Sequence, residues 1–434
     1  MKLWDKGQQS TNVLIEQFTV GDDRELDLQI AEYDLRASKA HAQMLNKVGL
    51  LDDEECKQIS SELDRMLREA EEGNFAIEKD FEDVHSKIEH ELTQKLGDTG
   101  KKIHAGRSRN DQVLVCLHMY VKEQINEIKK KVKNLFEQLI KLSDQHKQVL
   151  IPGYTHMQIA MPSSFGLWFA AYAESLVDDL HQLNAAYRIA DQNPLGSAAG
   201  YGSSLPLNRQ LTTDLLGFET LKYNSVSAQM GRGRLEKFTA FGLSAVAGTL
   251  SKMAMDVCLY CNQNYNFIAF PDELTTGSSI MPHKKNPDVF ELIRAKCNDI
   301  QSLPNELTMI TSNLPSGYHR DFQLLKGKLF PAVEILKSCL DISKLMFENI
   351  EVNDEIIEDP KYRYLFSVEE VNKKVQKGVP FRVAYKQIGQ AINEDNFDPD
   401  FEVFHTHEGS IGNLCNDQVR KKFEQVFYEL SSGQ

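Results

Sequence analysis

Several features are scarce in this 434-residue sequence, and each scarcity excludes a class of protein. Lys and Arg number 49 against 63 Asp and Glu, and the net charge of −14 argues against a nucleic-acid or anionic-membrane partner. No stretch approaches the roughly 20 apolar residues that span a bilayer, and the start, MKLWDKGQQS, lacks the apolar segment of a secretory signal. Seven cysteines form no disulfide framework, which favours a reducing compartment. We therefore expect a cytoplasmic protein.

Proline is absent from long parts of the chain. The first is Pro152, and none lies between Pro206 and Pro271. Because an interior proline breaks or kinks a helix, these tracts can form long helices. Apolar residues alternate at spacings of four and three in residues 121–142, 169–190 and 243–260. This 3.5-residue repeat predicts three long helices packed nearly parallel, and hence a mainly α chain built on a long-helix bundle.

Two changes in composition predict domain boundaries. The Gly/Arg/Ser cluster HAGRSRND, residues 104–111, precedes the first long helix, and an acidic stretch that ends in proline, residues 353–360, follows the bundle. The sequence therefore predicts a mostly helical N-terminal domain (1–106), a central bundle that carries a polar loop (107–352), and a small helical C-terminal domain (353–434).

Four polar segments with glycine or proline interrupt the helices and concentrate reactive side chains. They are HAGRSRND, IPGYTHMQ from residue 151, TTGSSIMPHKKNPD from residue 275, and LPSGYHRDFQ from residue 314. They contain the cations Arg107, Arg109, Lys284, Lys285 and Arg320, the amides Asn110, Asn286 and Gln323, the hydroxyls Thr155, Ser278, Ser279 and Tyr318, and the histidines His156 and His283. This set suits a small substrate with several carboxylates, because the segments are locally rich in positive charge although the chain as a whole is negative.

Other functions fit these segments less well. GSSIMP is neither the nucleophile elbow of a serine hydrolase nor a phosphate-binding P-loop, although such a turn alone could be a plain loop. His405 and His407 have no further ligands at metal spacing, so we expect neither a metal nor a cofactor. His85 follows two acidic residues and is compatible with either a site or an exposed helix face.

Together the segments resemble the fumarase/aspartase superfamily, whose signature GSSxMPxKxNP stands complete as GSSIMPHKKNP. Within it, EDVHSKIEHELTQKLGDTGKKIHAGRSRNDQV followed by PGYTHMQ resembles the argininosuccinate lyase family and the lens δ-crystallins derived from it. ASKAHAQML, LGSAAGYG, PDELTTGSS and GVPFRVAY extend the resemblance over nearly the whole chain. The resemblance implies a fumarase/aspartase-like fold, a homotetramer that shares the central bundle, and active sites shared between subunits.

The implied reaction is elimination of argininosuccinate to arginine and fumarate, a step of arginine biosynthesis. A proton leaves the carbon beside a carboxylate, and groups fixed where the dianionic aci-carboxylate develops stabilise the transition state. By resemblance, Ser278 removes the proton, Lys284 and Asn286 stabilise the intermediate, and His156 protonates the leaving nitrogen. The opposite assignment of serine and histidine stays open.

The resemblance also implies which residues hold the substrate. Asn110, Thr155, Tyr318, Gln323 and Lys326 match the family's substrate-binding positions. Asp83 is a candidate partner for a positive group of the substrate. The loop residues Ser108, Arg109 and Arg320 complete the predicted site.

The chain departs from the family pattern at several places. LWDKGQQ replaces the opening WGGRF, Asp23 appears where a serine is expected, NSVSAQMGRGRLEKF replaces NSxDAVSDRDF, and QLLKG replaces QEDKE. These changes weaken inference about the arginine side of the substrate. A modified relative of argininosuccinate, adenylosuccinate, and a non-catalytic crystallin-like role are therefore kept as alternatives.

Overall fold

A computed structural model describes residues 13–430 of the chain, and helices predominate in it. The helices are α1 (Val13–Val20), α2 (Asp23–Leu28), α3 (Ala31–Lys47), α4 (Asp53–Glu71), α5 (Val84–Leu96), α6 (Asp98–Lys101), α7 (Arg109–Gln145), α8 (Phe165–Ala190), α9 (Arg209–Leu215), α10 (Ser225–Gln229), α11 (Arg234–Tyr260), α12 (Asp288–Ile310), α13 (Lys326–Glu348), α14 (Ser367–Gln376), α15 (Phe381–Asn393) and α16 (Asn416–Tyr428). The departure LWDKGQQ lies outside the described residues.

The strands are short and pair two by two. They are β1 (Leu150–Thr155), β2 (Gln158–Ser164), β3 (Gln192–Asn193), β4 (Thr220–Leu221), β5 (Ile268–Ala269), β6 (Thr276–Gly277), β7 (Lys285–Asn286) and β8 (Glu351–Val352). The pairs β1–β2, β5–β8 and β6–β7 are antiparallel, whereas β3–β4 is parallel. The mainly α prediction is confirmed.

The three long helices predicted from the apolar spacing are present as α7, α8 and α11. Most of their repeating residues are buried, and Ile125, Leu135, Leu176 and Leu250 expose none of their surface. The alternating spacing therefore marks the buried face of each helix. The repeat did not predict α12 and α13, which are also long although each contains a proline.

The chain forms two compact units. Unit 1 comprises the chain up to Ile128, Gln182–Ser244 and Ile300–Ile335. In it, α3 packs on α4, and α4 begins with a capping box between Asp52 and Glu55. The rings of Tyr120 and Phe330 lie 4.4 Å apart in its core. This packing supports the loops that precede α5, α7 and α13.

Unit 2 comprises Lys129–His181, Ala245–Asp299 and the chain from Leu336 onward. Its core contains an aromatic cluster around Trp168, which also donates a hydrogen bond to Asp256 at 3.1 Å. Tyr172 donates to the same carboxylate at 2.6 Å. Among the described residues, no helix is both long and apolar enough to cross a membrane.

Candidate active site

A cavity of about 240 Å³ in unit 1 gathers most of the predicted substrate-binding residues. Its walls are Val20, Asp23, Asp27, Glu82, Asp83, His85, Arg109, Asn110, Val113, Arg232, Tyr318, Arg320, Gln323 and Lys326. Seven of these are predicted site residues: Asp83, Arg109, Asn110, Tyr318, Arg320, Gln323 and Lys326. Side chains of both charges face one space, so the cavity suits a zwitterionic ligand.

The first turn of α7 is held in place by a buried carboxylate. Asp111 accepts hydrogen bonds from the backbone N–H groups of Ser108 at 2.7 Å and of Gly196 and Ala198 at 2.9 Å. Burial raises the pKa of Asp111 to about 6, although these hydrogen bonds oppose the shift. The Ser108 hydroxyl accepts from the Asn110 N–H at 3.3 Å and does not line the cavity. Ser108 therefore orients the turn that presents Asn110.

Arg109 lies between two acidic side chains of the cavity wall. Its Nη1 donates to Glu82 at 3.0 Å, and its Nε lies 3.0 Å from Asp83. Asp83 is also the N-cap of α5, where it accepts from the backbone N–H of Ser86 at 2.8 Å. Burial opposes ionisation of Asp83, but His85 and Arg109 hold its pKa below the usual value. Asp83 is therefore a fixed negative charge at neutral pH.

Lys326 is neutralised by two aspartates from α2. Its ammonium lies 2.8 Å from Asp23 and also pairs with Asp27, and all three side chains lie largely out of solvent. Burial would lower the pKa of Lys326, but the two carboxylates raise it. Burial raises the pKa of Asp23 to about 6, against the effect of Lys326. An ammonium group with two carboxylates attracts a substrate anion less than a free one does.

Of the described cations in this cavity, Arg320 is the one whose contacts leave its charge available to bind an anion. Among the described residues it contacts neutral acceptors: the Gln323 side chain at 3.1 Å and the Thr19 carbonyl at 3.0 Å. Gln323 donates to Thr19 and Val20 at 2.9 Å, which fixes both side chains against α1. By contrast, Arg232 is paired with Glu236 at 2.8 Å. Arg320 is thus the strongest candidate for binding a substrate carboxylate.

His85 is buried, so it does not lie on an exposed helix face. Its Nδ1 lies 2.8 Å from the buried carboxylate of Asp34. Burial lowers the pKa of His85, but Asp34 outweighs it and the net shift is upward. In turn, His85 and Arg107 lower the pKa of Asp34 against its burial. His85 therefore presents a proton donor, backed by a carboxylate, to the cavity wall.

Two further predicted residues, Thr155 and His156, lie at the tip of the β1–β2 hairpin in unit 2. Thr155 pairs with Gln158, so His156 and Met157 form a two-residue turn. Their φ angles are +52° and +61°, which is the left-handed conformation of a type I′ hairpin turn. Both side chains are exposed. The turn therefore projects His156 away from the hairpin.

The polar loop with Ser278, Lys284 and Asn286 is closed by its own two-residue ladder. Thr276 of β6 pairs with Asn286 of β7. The Ser278 hydroxyl accepts from the backbone N–H groups of Ile280 at 3.3 Å and Met281 at 3.1 Å. The amide of Asn286 donates to the Gly277 carbonyl at 3.3 Å. These two N–H donors would stabilise negative charge on the Ser278 oxygen if it became an alkoxide.

The lysines of this loop differ in their partners. Lys285 forms an ion pair with Asp272, whereas no carboxylate of the described residues pairs with the exposed Lys284. The charge of Lys284 is therefore available to a ligand.

The sequence did not predict several of the residues that line the cavity. Asp27, Glu82 and Arg232 were not predicted to bind substrate, and His85 was left undecided. A signal existed for Asp27, because it lies four residues after Asp23 and therefore on the same face of α2. The burial of His85 depends on Asp34, 51 residues earlier, which no local pattern indicates.

Comparisons with known proteins support this fold. The model of the family described as "Lyase" matches residues 6–302. Among solved structures, an EDDS lyase bound to formate has a TM-score of 0.74 at 21% identity, covering 98% of this chain and 91% of that one. A class II fumarase from Schistosoma mansoni has a TM-score of 0.72 at 16% identity, covering 95% and 94%. The chain therefore has the fold of the fumarase/aspartase-type lyases.

Curated relatives define the family more narrowly. An argininosuccinate lyase from Bacteroides thetaiotaomicron is 57% identical over 98% of this chain and 95% of its own length. Another from Thermotoga neapolitana is 41% identical over 91% and 99%. The chain belongs to the argininosuccinate lyase family, and it is a lyase.

Proposed function

We propose that this chain cleaves argininosuccinate to arginine and fumarate in the cytoplasm, as a step of arginine biosynthesis. The observation that carries the proposal is the polar loop, where two backbone N–H groups converge on the Ser278 hydroxyl and Lys284 has no carboxylate partner within residues 13–430. A serine removes a proton only if its alkoxide is stabilised, and these donors and this charge provide that stabilisation.

In the proposed reaction, Ser278 takes the proton from the carbon beside a substrate carboxylate. The electron pair moves into that carboxylate, and Lys284 and Asn286 stabilise the resulting dianion. His156 then gives a proton to the nitrogen as the carbon–nitrogen bond breaks, so arginine and fumarate leave. This assignment makes serine the base and histidine the acid.

The cavity of unit 1 is proposed to hold the rest of the substrate. Arg320 binds a carboxylate, Asp83 faces a positive group, and Asn110, Tyr318 and Gln323 supply neutral hydrogen bonds. Thr155 is proposed to contact the substrate from the hairpin. Because Lys326 is paired with Asp23 and Asp27, we propose that it fixes those carboxylates for the arginine side of the substrate.

We further propose a homotetramer in which the 107–352 bundles pack together, flanked by the 1–106 and 353–434 domains. Large apolar side chains remain exposed on three long helices: Phe241 and Met255 on α11, Leu292 and Met309 on α12, and Leu345 on α13. Exposed apolar residues at this density on bundle helices favour association with further copies. Each active site would then combine residues from different chains.

Fumarate release tests the proposed activity. The purified protein is mixed with argininosuccinate and, in parallel, with adenylosuccinate, and fumarate is followed by its ultraviolet absorbance. We expect turnover of argininosuccinate alone. Turnover of adenylosuccinate would support a different lyase of the superfamily. Inactivity toward both, in a folded protein, would contradict the proposal.

A further inference from the structure

A second cavity in unit 1, of about 200 Å³, carries positive charge, and none of the described residues that line it is acidic. It is lined by His118, Ile189, Gln192, Lys222, Gly231, Arg234, Leu235 and Phe238. A water molecule occupies about 30 Å³, so the cavity has room for one small ion and a few waters. It does not share a lining residue with the candidate active site.

The two cations of this cavity have no carboxylate partner among the described residues. Lys222 and Arg234 form no ion pair there, although the chain carries a net charge of −14. Burial lowers the pKa of the Lys222 ammonium, and the nearby Arg234 lowers it further. Arg234 is the first residue of α11, so the positive end of a 27-residue helix adds to the field. Such a field favours an anion.

His118 specifies the kind of anion. Its Nδ1 lies 2.8 Å from the carbonyl oxygen of Ala190, and since a carbonyl only accepts, Nδ1 carries the proton. Burial lowers the pKa of His118 to about 4, so at neutral pH its Nε2 bears a lone pair. That Nε2 is buried and has no hydrogen-bond partner among the described residues. A ligand that satisfies this site must therefore donate a hydrogen bond as well as carry negative charge.

We propose that this cavity binds hydrogen phosphate. The ion keeps one P–OH group at neutral pH, which donates to Nε2 of His118, while its charged oxygens accept from Lys222 and Arg234. Sulfate has the same shape and charge but no proton, and a phosphate monoester dianion lacks one too. Arg234 stands where the family pattern NSxDAVSDRDF has its phenylalanine, so the site belongs to this chain rather than to that pattern.

Calorimetric titration of the intact protein tests the proposal. Inorganic phosphate, sulfate and methyl phosphate are titrated separately in a phosphate-free buffer at pH 7.5 and constant ionic strength, which keeps general screening equal. We expect saturable binding of phosphate, with sulfate and the monoester weaker by about tenfold or more, the effect of losing one hydrogen bond to a buried group.

Variants locate the binding. Lys222→Met and Arg234→Met should each weaken phosphate binding by about tenfold or more, whereas the matched control Lys237→Met, on the same helix but outside the cavity, should not change it. If phosphate does not bind saturably, the proposal is overturned. This result is expected, for example, if a neighbouring chain fills the cavity. Equal affinity for sulfate, or unchanged binding in both cavity variants, would also overturn the proposal.

Discussion

At the scale of single residues, the proposed elimination depends on which hydroxyl and which ammonium of the polar loop act on the substrate. Residue type alone does not separate Ser278 from Ser279 or Lys284 from Lys285, whereas the family resemblance predicts Ser278 and Lys284. The structure supplies a physical difference within each pair. Two substitutions test these differences.

Ser278→Ala should remove almost all fumarate production, while circular dichroism shows the helical fold intact. The hydroxyl accepts two backbone hydrogen bonds in a surface loop, so its loss affects the chemistry rather than a core. The matched control is Ser279→Ala, which removes the neighbouring hydroxyl and should have a milder effect. Equal losses in the two variants would refute the assignment of the base to Ser278.

Lys284→Met keeps most of the side-chain length but removes the charge that is proposed to stabilise the developing dianion. Losing such a group raises the barrier by about 3 kcal/mol, which lowers kcat by roughly 10²- to 10³-fold. Lys285→Met is the control, because Lys285 is paired with Asp272 at the surface and should matter little. A kcat within tenfold of wild type for Lys284→Met would show that Lys284 points elsewhere.

A buried histidine makes stability depend on pH. Burial lowers the pKa of His41 to about 3, and Nε2 of its ring donates to the Ala105 carbonyl at 2.9 Å. Below pH 6.5 the unfolded chain binds a proton at this residue that the folded chain does not. Stability is therefore lost as pH falls, by about 2 kcal/mol between pH 7 and pH 5 for this group.

Buried carboxyl groups with raised pKa values, among them Asp23 and Asp111, favour the folded state as pH falls and so oppose the effect of His41. The His41→Gln variant isolates the contribution of the histidine from theirs. Its amide can donate to the same carbonyl but does not titrate. Urea unfolding at pH 7 and pH 5 should show that the variant loses about 2 kcal/mol less than wild type on acidification. An identical loss in both proteins would mean that His41 is not kept neutral by the fold.

At the scale of elements, the sequence predicted what depends on local periodicity. The 4,3 spacing located α7, α8 and α11, because helix burial repeats along the chain. It did not locate α12 and α13, since Pro304 and Pro331 lie inside them and tertiary packing outweighs the local cost of proline. The pairs Lys326–Asp27 and His85–Asp34 join distant segments, which is why the walls of the cavity could be predicted only in part.

The β1–β2 hairpin offers a test of how His156 is presented. Met157 has a φ of +61°, which an L-residue with a side chain adopts at a cost of about 1 kcal/mol and glycine adopts freely. Met157→Gly should therefore raise the melting temperature without loss of activity. Met161→Gly is the matched control within β2, where glycine should lower stability. A melting temperature that falls in both variants would contradict the I′ turn.

At the scale of the whole molecule, the proposed homotetramer combines the polar loop and the hairpin of unit 2 with the cavity of unit 1 from different chains. Family membership and fold follow from motifs that cover nearly the whole chain, so the sequence could predict them. The homotetramer is expected from the resemblance alone, because the contacts of one chain do not show which exposed apolar faces meet other copies. The proposed tetramer makes a quantitative prediction about mixed subunits.

The most direct test of the shared active site is complementation between two inactive variants, His156→Ala and Ser278→Ala. They are refolded separately and together in equal amounts, and fumarate release from argininosuccinate is measured. If a site takes its histidine and its serine from different subunits, random mixing leaves both residues intact in about one half times one half of the sites. About a quarter of wild-type activity should therefore return. If mixed tetramers form, as mass spectrometry of a tagged variant can verify, and activity stays at the level of the separate variants, the shared active site is contradicted.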